Sequence, residues 1–397
     1  MTAAASAAAS SAFPGNPVFN LPTTIFEVMS RLAEEHQAVN LGQGFPDDRG
    51  PADVLAEAER ALRDDSNQYP SMMGTPALRQ ALAGHAKRFY GLDLDWRTQT
   101  LVTSGATEAL AACLLGLLSP GDEVVLFEPL YDSYLPIVRL AGAVPKFVQL
   151  QPPNWSFTAR DLERAFSPKT KLVLINDPLN PAGKAFTVEE LDLLASFIER
   201  YDALAVCDEV YEHIVFDGRP HVPLITRPGM AERCLKIGSA GKTFSLTGWK
   251  VGYVTGPARL IAPAAKAHQF LTFTTPPNLQ SAVAYGLNKD DGYFSGLAAD
   301  MQRRRDKLAA GLNAVGLNTL PAGGSYFVIA DVTPFMAEPD DAEFCRRLTA
   351  EVGVAAIPVS AFYAGPPPRH LIRFCFCKSD AVLDRALDRL SRLKPFA

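Results

Sequence analysis

The stretch 239-SAGKTFSLTGWKVG-252 places Lys242 three residues after a hydroxyl, Ser239, and eight residues before a second cation, Lys250. Glycines flank both lysines. A lysine amine can hold an aldehyde cofactor as a Schiff base, and a hydroxyl with a spaced cation is suited to bind a phosphate. The stretch therefore predicts a covalently held cofactor that carries both a carbonyl and an anionic group.

Upstream of this stretch, short apolar runs alternate with helix-like segments, roughly from residue 50 to residue 285. The helix-like segments include residues 107–118 and 188–201, where apolar positions recur at helical spacing. The candidate strands are 123-EVVLFE-128, 171-KLVLIN-176, 203-ALAVCD-208, 234-CLKIGS-239 and 251-VGYVTG-256. This alternation predicts an α/β fold with a mostly parallel sheet flanked by helices.

The pattern changes from about residue 300, where a basic helical run leads to two strand-like segments, GGSYFVIADV and LIRFCFC, separated by a helix. We expect a smaller α+β domain here. The predicted division is a disordered tail over residues 1–12, a segment over 13–48 that packs with the small domain, a large domain over 49–285 and the small domain over 286–397.

Composition excludes several classes of protein. The chain has 397 residues, a formal charge of −5 and 48% hydrophobic residues, which suits a soluble enzyme and disfavours a nucleic-acid surface. It contains no apolar run of about 20 residues and opens without the pattern of a secretory signal. We expect a cytoplasmic protein with no membrane contact. The cysteines lack metal-ligand spacing, so no metal site is expected, and their apolar surroundings predict buried, reduced thiols.

Polar motifs follow the candidate strands, at the edge where open parallel sheets bind ligands. In TSGATEAL the free amides of Gly105, Ala106 and Thr107 begin a helix and can bind a phosphate. In EPLYDSY, Tyr131 can stack its ring on a planar cofactor. Taken singly, the first motif could be an ordinary helix cap and the tyrosine an ordinary core residue.

Two further motifs add groups for a cofactor ring. The turn NDPLNPAGK holds Asn180 so that its amide can donate to a phenolate oxygen, and Tyr211 in DEVYEH can donate to the same oxygen. Asp208, at the end of a buried strand, stays ionised only beside a positive partner, such as a protonated pyridine nitrogen. An ordinary turn and a helix-capping carboxylate are the alternatives for these motifs.

Two basic residues complete the predicted site. Lys242 can serve as the base that moves a substrate α-proton once its pKa is depressed. Arg373, inside the apolar HLIRFCF, needs an anionic partner, and its planar fork suits a substrate α-carboxylate. A buried structural ion pair is the competing interpretation of Arg373.

In their order and surroundings these motifs resemble the class I and II aminotransferases that depend on pyridoxal 5'-phosphate (PLP). Within that family the chain is similar to the kynurenine aminotransferase and glutamine transaminase branch, because a lysine stands at Lys250 in place of the more usual arginine. Further resembling stretches are NLGQGFPD (40–47), DEVYEHIVFDGRPHVPL (208–224), GSYFVIADV (324–332) and IRFCF (372–376), and N-x-P-x-N-P-x-G begins at Asn176.

The resemblance implies a type I PLP-dependent transferase fold, with a seven-stranded sheet in the large domain, and a homodimer whose active sites lie at the subunit boundary. It also implies that Gly44 helps to seat the substrate carboxylate beside Arg373, and that Tyr69 reaches the phosphate of the neighbouring subunit's cofactor. Where some relatives have a histidine after an HQ dipeptide, this chain reads HQFLTFTTPPN, with Phe273 followed by Thr274.

The predicted function is ping-pong transamination between an amino acid and a 2-oxo acid, with Lys242, Asp208 and Tyr211 as catalytic residues. Phe19, Tyr131 and Phe273 favour an apolar, aromatic or sulfur-containing amino acid, of the kynurenine, glutamine, methionine or phenylalanine type, over a dicarboxylate. Because this chain lacks the histidine that some relatives have after the HQ dipeptide, the preferred amino donor stays open.

Three alternatives remain open. One is β-elimination from cysteine S-conjugates, which uses the same site. Another is transamination of N-succinyl-diaminopimelate, which requires an extra cation for the distal carboxylate, and the sequence offers no candidate for it. A non-catalytic regulator of the same fold would carry a basic DNA-binding domain ahead of the first motif, and only about 12 low-complexity residues precede it here.

Overall fold

The computed structural model describes residues 15–336, 338 and 340–396; the predicted tail over residues 1–12 lies outside these residues. The fold is α/β, with the helices packed around a seven-stranded sheet and a smaller four-stranded sheet. The strands are β1 Val39–Asn40, β2 Thr100–Thr103, β3 Glu123–Glu128, β4 Val144–Gln149, β5 Thr170–Asn176, β6 Leu204–Asp208, β7 Cys234–Ser239, β8 Gly252–Thr255, β9 Asn318–Thr319, β10 Phe327–Asp331, β11 Val354–Ala355, β12 Ile357–Pro358 and β13 Leu371–Cys375.

The helices begin where capping residues or prolines favour a start, as at Thr75 before Pro76 and at Thr187, whose side chain forms a capping box with Glu190. The α-helices are α1 Ile25–Glu35, α2 Ala52–Asp64, α3 Pro76–Tyr90, α4 Ala106–Leu117, α5 Tyr134–Leu140, α6 Ala159–Ala165, α7 Val188–Arg200, α8 Ala240–Thr243, α9 Ala258–Leu271, α10 Pro277–Leu287, α11 Asp291–Ala314, α12 Asp341–Arg347 and α13 Asp380–Leu390.

The large sheet has the strand order β2-β8-β7-β6-β5-β3-β4. β8 is antiparallel to both of its neighbours, and the other pairings are parallel. The central strands β3, β5, β6 and β7 are buried almost throughout, because helices cover both faces of the sheet. The expected mostly parallel seven-stranded sheet flanked by helices is therefore confirmed.

The C-terminal part forms an antiparallel sheet in the order β12-β13-β10-β9. The N-terminal β1 pairs in parallel with β11, so residues near position 40 lie against the C-terminal part of the chain. β13 places Arg373 opposite Ile329 and Ile357, in the middle of this second sheet. The predicted boundaries at 48/49 and 285/286 remain predictions.

All six cysteines are buried and free, in agreement with the expectation of reduced thiols. Cys375 and Cys377 lie with their Sγ atoms 3.1 Å apart. Across the described part of the chain, no helix is both long enough and apolar enough to cross a bilayer.

Candidate active site

A cavity of about 310 Å³ opens at the carboxyl ends of the parallel strands, where α/β sheets bind ligands. It brings together most of the side chains that the sequence singled out, from loops after five different strands and from the C-terminal sheet. The predicted residues that line it are Gly44, Gly105, Ala106, Thr107, Tyr131, Asn180, Asp208, Tyr211, Ser239, Lys242, Lys250 and Arg373.

The floor of one end of the cavity is the first turn of α4. Gly105 precedes this helix at φ 84°, a conformation that favours glycine, and no side chain caps the turn. A Cβ added at Gly105 would lie 3.1 Å from Cε of Lys250, so the missing side chain keeps room beside this lysine. The Gly105 N–H, predicted to be free, donates to the carbonyl oxygen of Thr103 over 2.8 Å. The amides of Ala106 and Thr107, the helix dipole and the nearby ammonium form a site that could hold a phosphate.

Asp208 ends β6 and is buried against the cavity. Its Oδ2 accepts a hydrogen bond of 2.7 Å from the hydroxyl of Tyr134, whereas its buried Oδ1 has no hydrogen-bond partner. Burial raises the pKa of Asp208 to about 6, an effect that the bond from Tyr134 opposes. An unpartnered buried carboxylate oxygen of this kind fits a cationic N–H donor, such as the protonated pyridine nitrogen of PLP.

Lys242 lies in the short helix α8 directly after β7. Its Nζ donates to the hydroxyl of Tyr326 over 2.8 Å, and that hydroxyl in turn donates to the carbonyl oxygen of Gly44 over 2.6 Å. Burial lowers the pKa of Lys242. A lowered pKa increases the neutral fraction of the amine, which is the form that attacks a carbonyl or accepts a proton.

Arg373 is fully buried and uses two of its five N–H donors inside the protein. Nη1 donates to Oδ1 of Asn180 over 2.8 Å and Nη2 to the carbonyl oxygen of Gly42 over 2.6 Å, while Nε has no partner. The guanidinium lies 4.0 Å from the ring centroid of Phe327. Burial lowers its pKa to about 10, so it stays charged at neutral pH.

The competing interpretation of Arg373 as half of a structural ion pair is not supported. Among the residues that the structure describes, no carboxylate forms a salt bridge with this guanidinium. A buried cation with unused donors on one side and a cavity beside it is suited to bind an anionic ligand.

Three predicted residues do not line the cavity of their own chain. Tyr69 and Phe273 contact each other edge to face, with ring centroids 5.6 Å apart, and the side chains are 83% and 40% exposed. Phe19 is 52% exposed in a short 3-10 helix. The roles of these three residues at an active site remain predictions. For Tyr69, the predicted role requires a second subunit.

The sequence reasoning missed four residues that shape the site. Tyr134 hydrogen-bonds Asp208, Tyr326 hydrogen-bonds Lys242, and the rings of Phe26 and Phe327 pack on Arg373. A signal existed for three of them, because Tyr134 lies three residues after Tyr131, and both Tyr326 and Phe327 lie inside the quoted GSYFVIADV. Phe26 carries no such signal.

Comparison with known proteins agrees with this geometry. The family described as aminotransferase class I and II matches residues 36–390. A probable N-succinyldiaminopimelate aminotransferase, DapC, of Mycobacterium tuberculosis is 46% identical over 94% of this chain and 96% of its own length. Methionine aminotransferase of Escherichia coli is 40% identical over 96% and 98%, and kynurenine–oxoglutarate transaminase 3 of Mus musculus is 40% identical over 92% and 87%.

Solved structures of aminotransferases also match this chain over nearly its whole length. The N-succinyldiaminopimelate aminotransferase from Mycobacterium tuberculosis superposes with a TM-score of 0.90 at 46% identity, covering 93% of this chain and 97% of that one. The structure of YbdL from Escherichia coli, which is described as having a methionine aminotransferase function, superposes with a TM-score of 0.93 at 40% identity, covering 96% of this chain and 100% of that one. The fold is that of the type I PLP-dependent aminotransferases.

This chain belongs to the class I and II aminotransferase family. As a member of this family it is a PLP-dependent transaminase, and the predicted resemblance to the class I and II aminotransferases is confirmed. The family acts on amino acids and 2-oxo acids.

Proposed function

We propose that this enzyme binds PLP on Lys242 and transfers the α-amino group of an apolar, aromatic or sulfur-containing amino acid to a 2-oxo acid. The observation that carries the substrate class is an apolar groove of about 710 Å³ that adjoins the cavity and shares Phe26 and Thr107 with it. Among the described residues that line the groove, Asp132 is the one charged side chain.

The groove argues against a donor with a distal carboxylate. Its walls come mainly from residues 21–28, 130–137 and 361–364, and they include Leu21, Ile25, Ile137 and Phe362. Burial raises the pKa of Asp132, and the described residues of the groove lining include no lysine or arginine that could pair with an anion. Apolar walls stabilise a side chain in proportion to the apolar area that it buries.

The residues of the cavity have separate tasks toward the cofactor. Asp208 Oδ1 would hold the pyridine N–H, while Asn180 and Tyr211 would donate to the phenolate oxygen and Tyr131 would pack on the ring. The residues assigned to the phosphate are Gly105, Ala106, Thr107, Ser239 and Lys250. When bound, PLP supplies a carbonyl carbon that accepts amines and a ring that accepts electrons from the substrate α-carbon.

The remaining residues act on the substrate. Arg373 binds the α-carboxylate through its unused donors and, with Gly44, fixes the orientation of the α-carbon. Once the substrate amine has displaced it from the cofactor, Lys242 Nζ would accept the α-proton and pass it to the former carbonyl carbon of the cofactor. In the second half-reaction it would move a proton in the opposite direction. Tyr326 accepts a hydrogen bond from this amine, so it keeps the nitrogen directed into the cavity.

A second candidate function is transamination of N-succinyl-diaminopimelate, favoured by the 46% identity to the mycobacterial protein. A panel of methionine, phenylalanine, kynurenine, glutamine and N-succinyl-diaminopimelate, each with pyruvate and with 2-oxoglutarate, separates the two. We expect the highest kcat/KM with an apolar donor. A preference for the succinylated donor would refute the proposed substrate class.

Adding a cysteine S-conjugate to this panel, with 2-oxoglutarate as the acceptor, tests β-lyase activity. Elimination releases pyruvate, ammonia and the thiol without any acceptor, whereas transamination consumes the acceptor and yields a 2-oxo acid that keeps the sulfur substituent.

We also propose a homodimer with shared active sites. Tyr69 and Phe270 are 83% and 84% exposed, which is unusual for large aromatic side chains unless another chain covers them. Mixing Lys242→Ala subunits with Tyr69→Ala subunits tests this proposal. If Tyr69 serves the partner's site, each mixed dimer has one intact site and activity returns, whereas no recovery would show that each site is built from one chain.

A further inference from the structure

His268, near the end of α9, is fully buried where three parts of the chain meet. Its Nδ1 lies 3.0 Å from each carboxylate oxygen of Glu108, and its Nε2 lies 3.0 Å from the carbonyl oxygen of Met72. The hydroxyl of Thr272 lies 3.3 Å from Nδ1. The backbone N–H of Phe273 donates to the carbonyl oxygen of His268 over 3.1 Å.

The two main partners of this ring determine where its protons are. A carbonyl oxygen and a carboxylate can only accept hydrogen bonds, and a neutral imidazole has a single N–H. Both contacts form when the ring carries two protons. We assign the proton between Nδ1 and Glu108 to the ring, because both carboxylate oxygens lie 3.0 Å from Nδ1 and Oε2 also accepts the backbone N–H of Ser104, as an acceptor-only carboxylate would.

Glu108 stands in the first turn of α4, directly after Gly105, Ala106 and Thr107. Its Oε2 also accepts the backbone N–H of Ser104 over 3.0 Å. A carboxylate at this position repels an anion bound at the same helix end, unless a neighbouring positive charge compensates for it. The buried imidazolium is such a charge.

We propose that His268 is a positioning residue of the phosphate site, an inference that rests on the proposed binding of PLP. Its positive charge cancels that of Glu108, so that the dianionic phosphate can bind at the start of α4. The same ring contacts Met72, in the segment after Tyr69, and the hydroxyl of Thr272, next to Phe273, so it ties α4 to both segments.

The charge role can be separated from a packing role with two substitutions. His268→Gln removes the cation and leaves Glu108 uncompensated, and we expect the Kd of the protein for PLP to rise at least about tenfold. Glu108→Gln in the same chain removes the uncompensated charge, so the double variant should return to within about threefold of the wild type. His36→Gln, on an exposed residue, serves as the matched control.

The measurement is a titration of each cofactor-free protein with PLP, followed by absorbance, with circular dichroism to show that each variant is folded. A double variant that binds as weakly as His268→Gln would overturn the proposal, because the loss would then come from packing. A Kd for His268→Gln within twofold of the wild type would overturn it as well.

A second readout does not depend on any variant's stability. In PLP-loaded wild-type enzyme with ¹⁵N-labelled histidine, both ring nitrogens of His268 should resonate as protonated; a neutral tautomer contradicts the proposal. A wild-type protein that bound no PLP would refute the proposed function. A wild-type protein that bound PLP with a neutral His268 would refute only the role of His268, so the two results are distinguishable.

Discussion

Replacing Arg373 with glutamine should remove recognition of the substrate α-carboxylate. Two of the guanidinium donors are already used by Asn180 and Gly42, and Nε points to no protein partner, so the unused donors are available to a ligand. A hydrogen bond to a charged group contributes about 1.5–3 kcal/mol, and a bidentate contact contains two. The expected loss is therefore about 3–6 kcal/mol, or roughly 10²–10⁴-fold in kcat/KM.

Arg373→Lys keeps the positive charge but loses the planar guanidinium, whose paired N–H donors can bind both oxygens of a carboxylate. It should retain one of the two bonds and fall by only about 10–10²-fold. Arg305→Gln is the matched control, because its guanidinium pairs with Asp217 at 2.8 Å and does not line the cavity. We expect this control to leave kcat/KM nearly unchanged.

The assay compares an amino acid with the amine that lacks its carboxylate. The wild-type enzyme should strongly prefer the amino acid, and Arg373→Gln should lose most of that preference. If Arg373→Gln kept kcat/KM for the amino acid within about threefold of the wild type, the assignment of this arginine to the carboxylate would be refuted.

Two buried charged groups give further predictions. Burial raises the pKa of Asp208 to about 6, so the cofactor-free fold loses stability as pH rises from about 4 to about 6. Asp208→Asn should stabilise this form by about 2–3 kcal/mol above pH 6 and by little below pH 4, while lowering kcat by about 10². Chemical denaturation across this pH range tests the prediction, and an equal effect at both ends would contradict it. Glu212 pairs with Lys236 at 2.7 Å in the interior, so Glu212→Gln should lower the free energy of unfolding by about 3–5 kcal/mol. The double variant Glu212→Gln/Lys236→Met should recover part of that loss in the same measurement.

The sequence predicted those parts of the fold and cavity that depend on local patterns. β3 and β7 have the predicted bounds, because each is a buried run between turn signals. Asp208 ends one buried strand and Asn180 follows another, and their place in the cavity follows from the rule for parallel sheets. β4 was not among the predicted strands, since VPKFVQ is a partly exposed edge strand that contains a proline.

Other parts depend on contacts between distant segments. The hydrogen bond from Lys242 to Tyr326 joins residues 84 positions apart, and that from Tyr134 to Asp208 joins residues 74 positions apart. The sequence likewise does not show that β8 is antiparallel, because an apolar run has the same pattern in a parallel and in an antiparallel strand. Such features are fixed by packing between elements, and a single sequence does not show them.

The central claim is that the amine of Lys242 carries the cofactor. Reduction of the PLP-loaded enzyme with borohydride, followed by proteolysis and mass spectrometry, measures the attachment point directly. The account predicts a single phosphopyridoxyl group, on the peptide that contains Lys242, and none in a Lys242→Ala variant. A modified peptide containing another lysine, or no modified peptide from active enzyme, would contradict it.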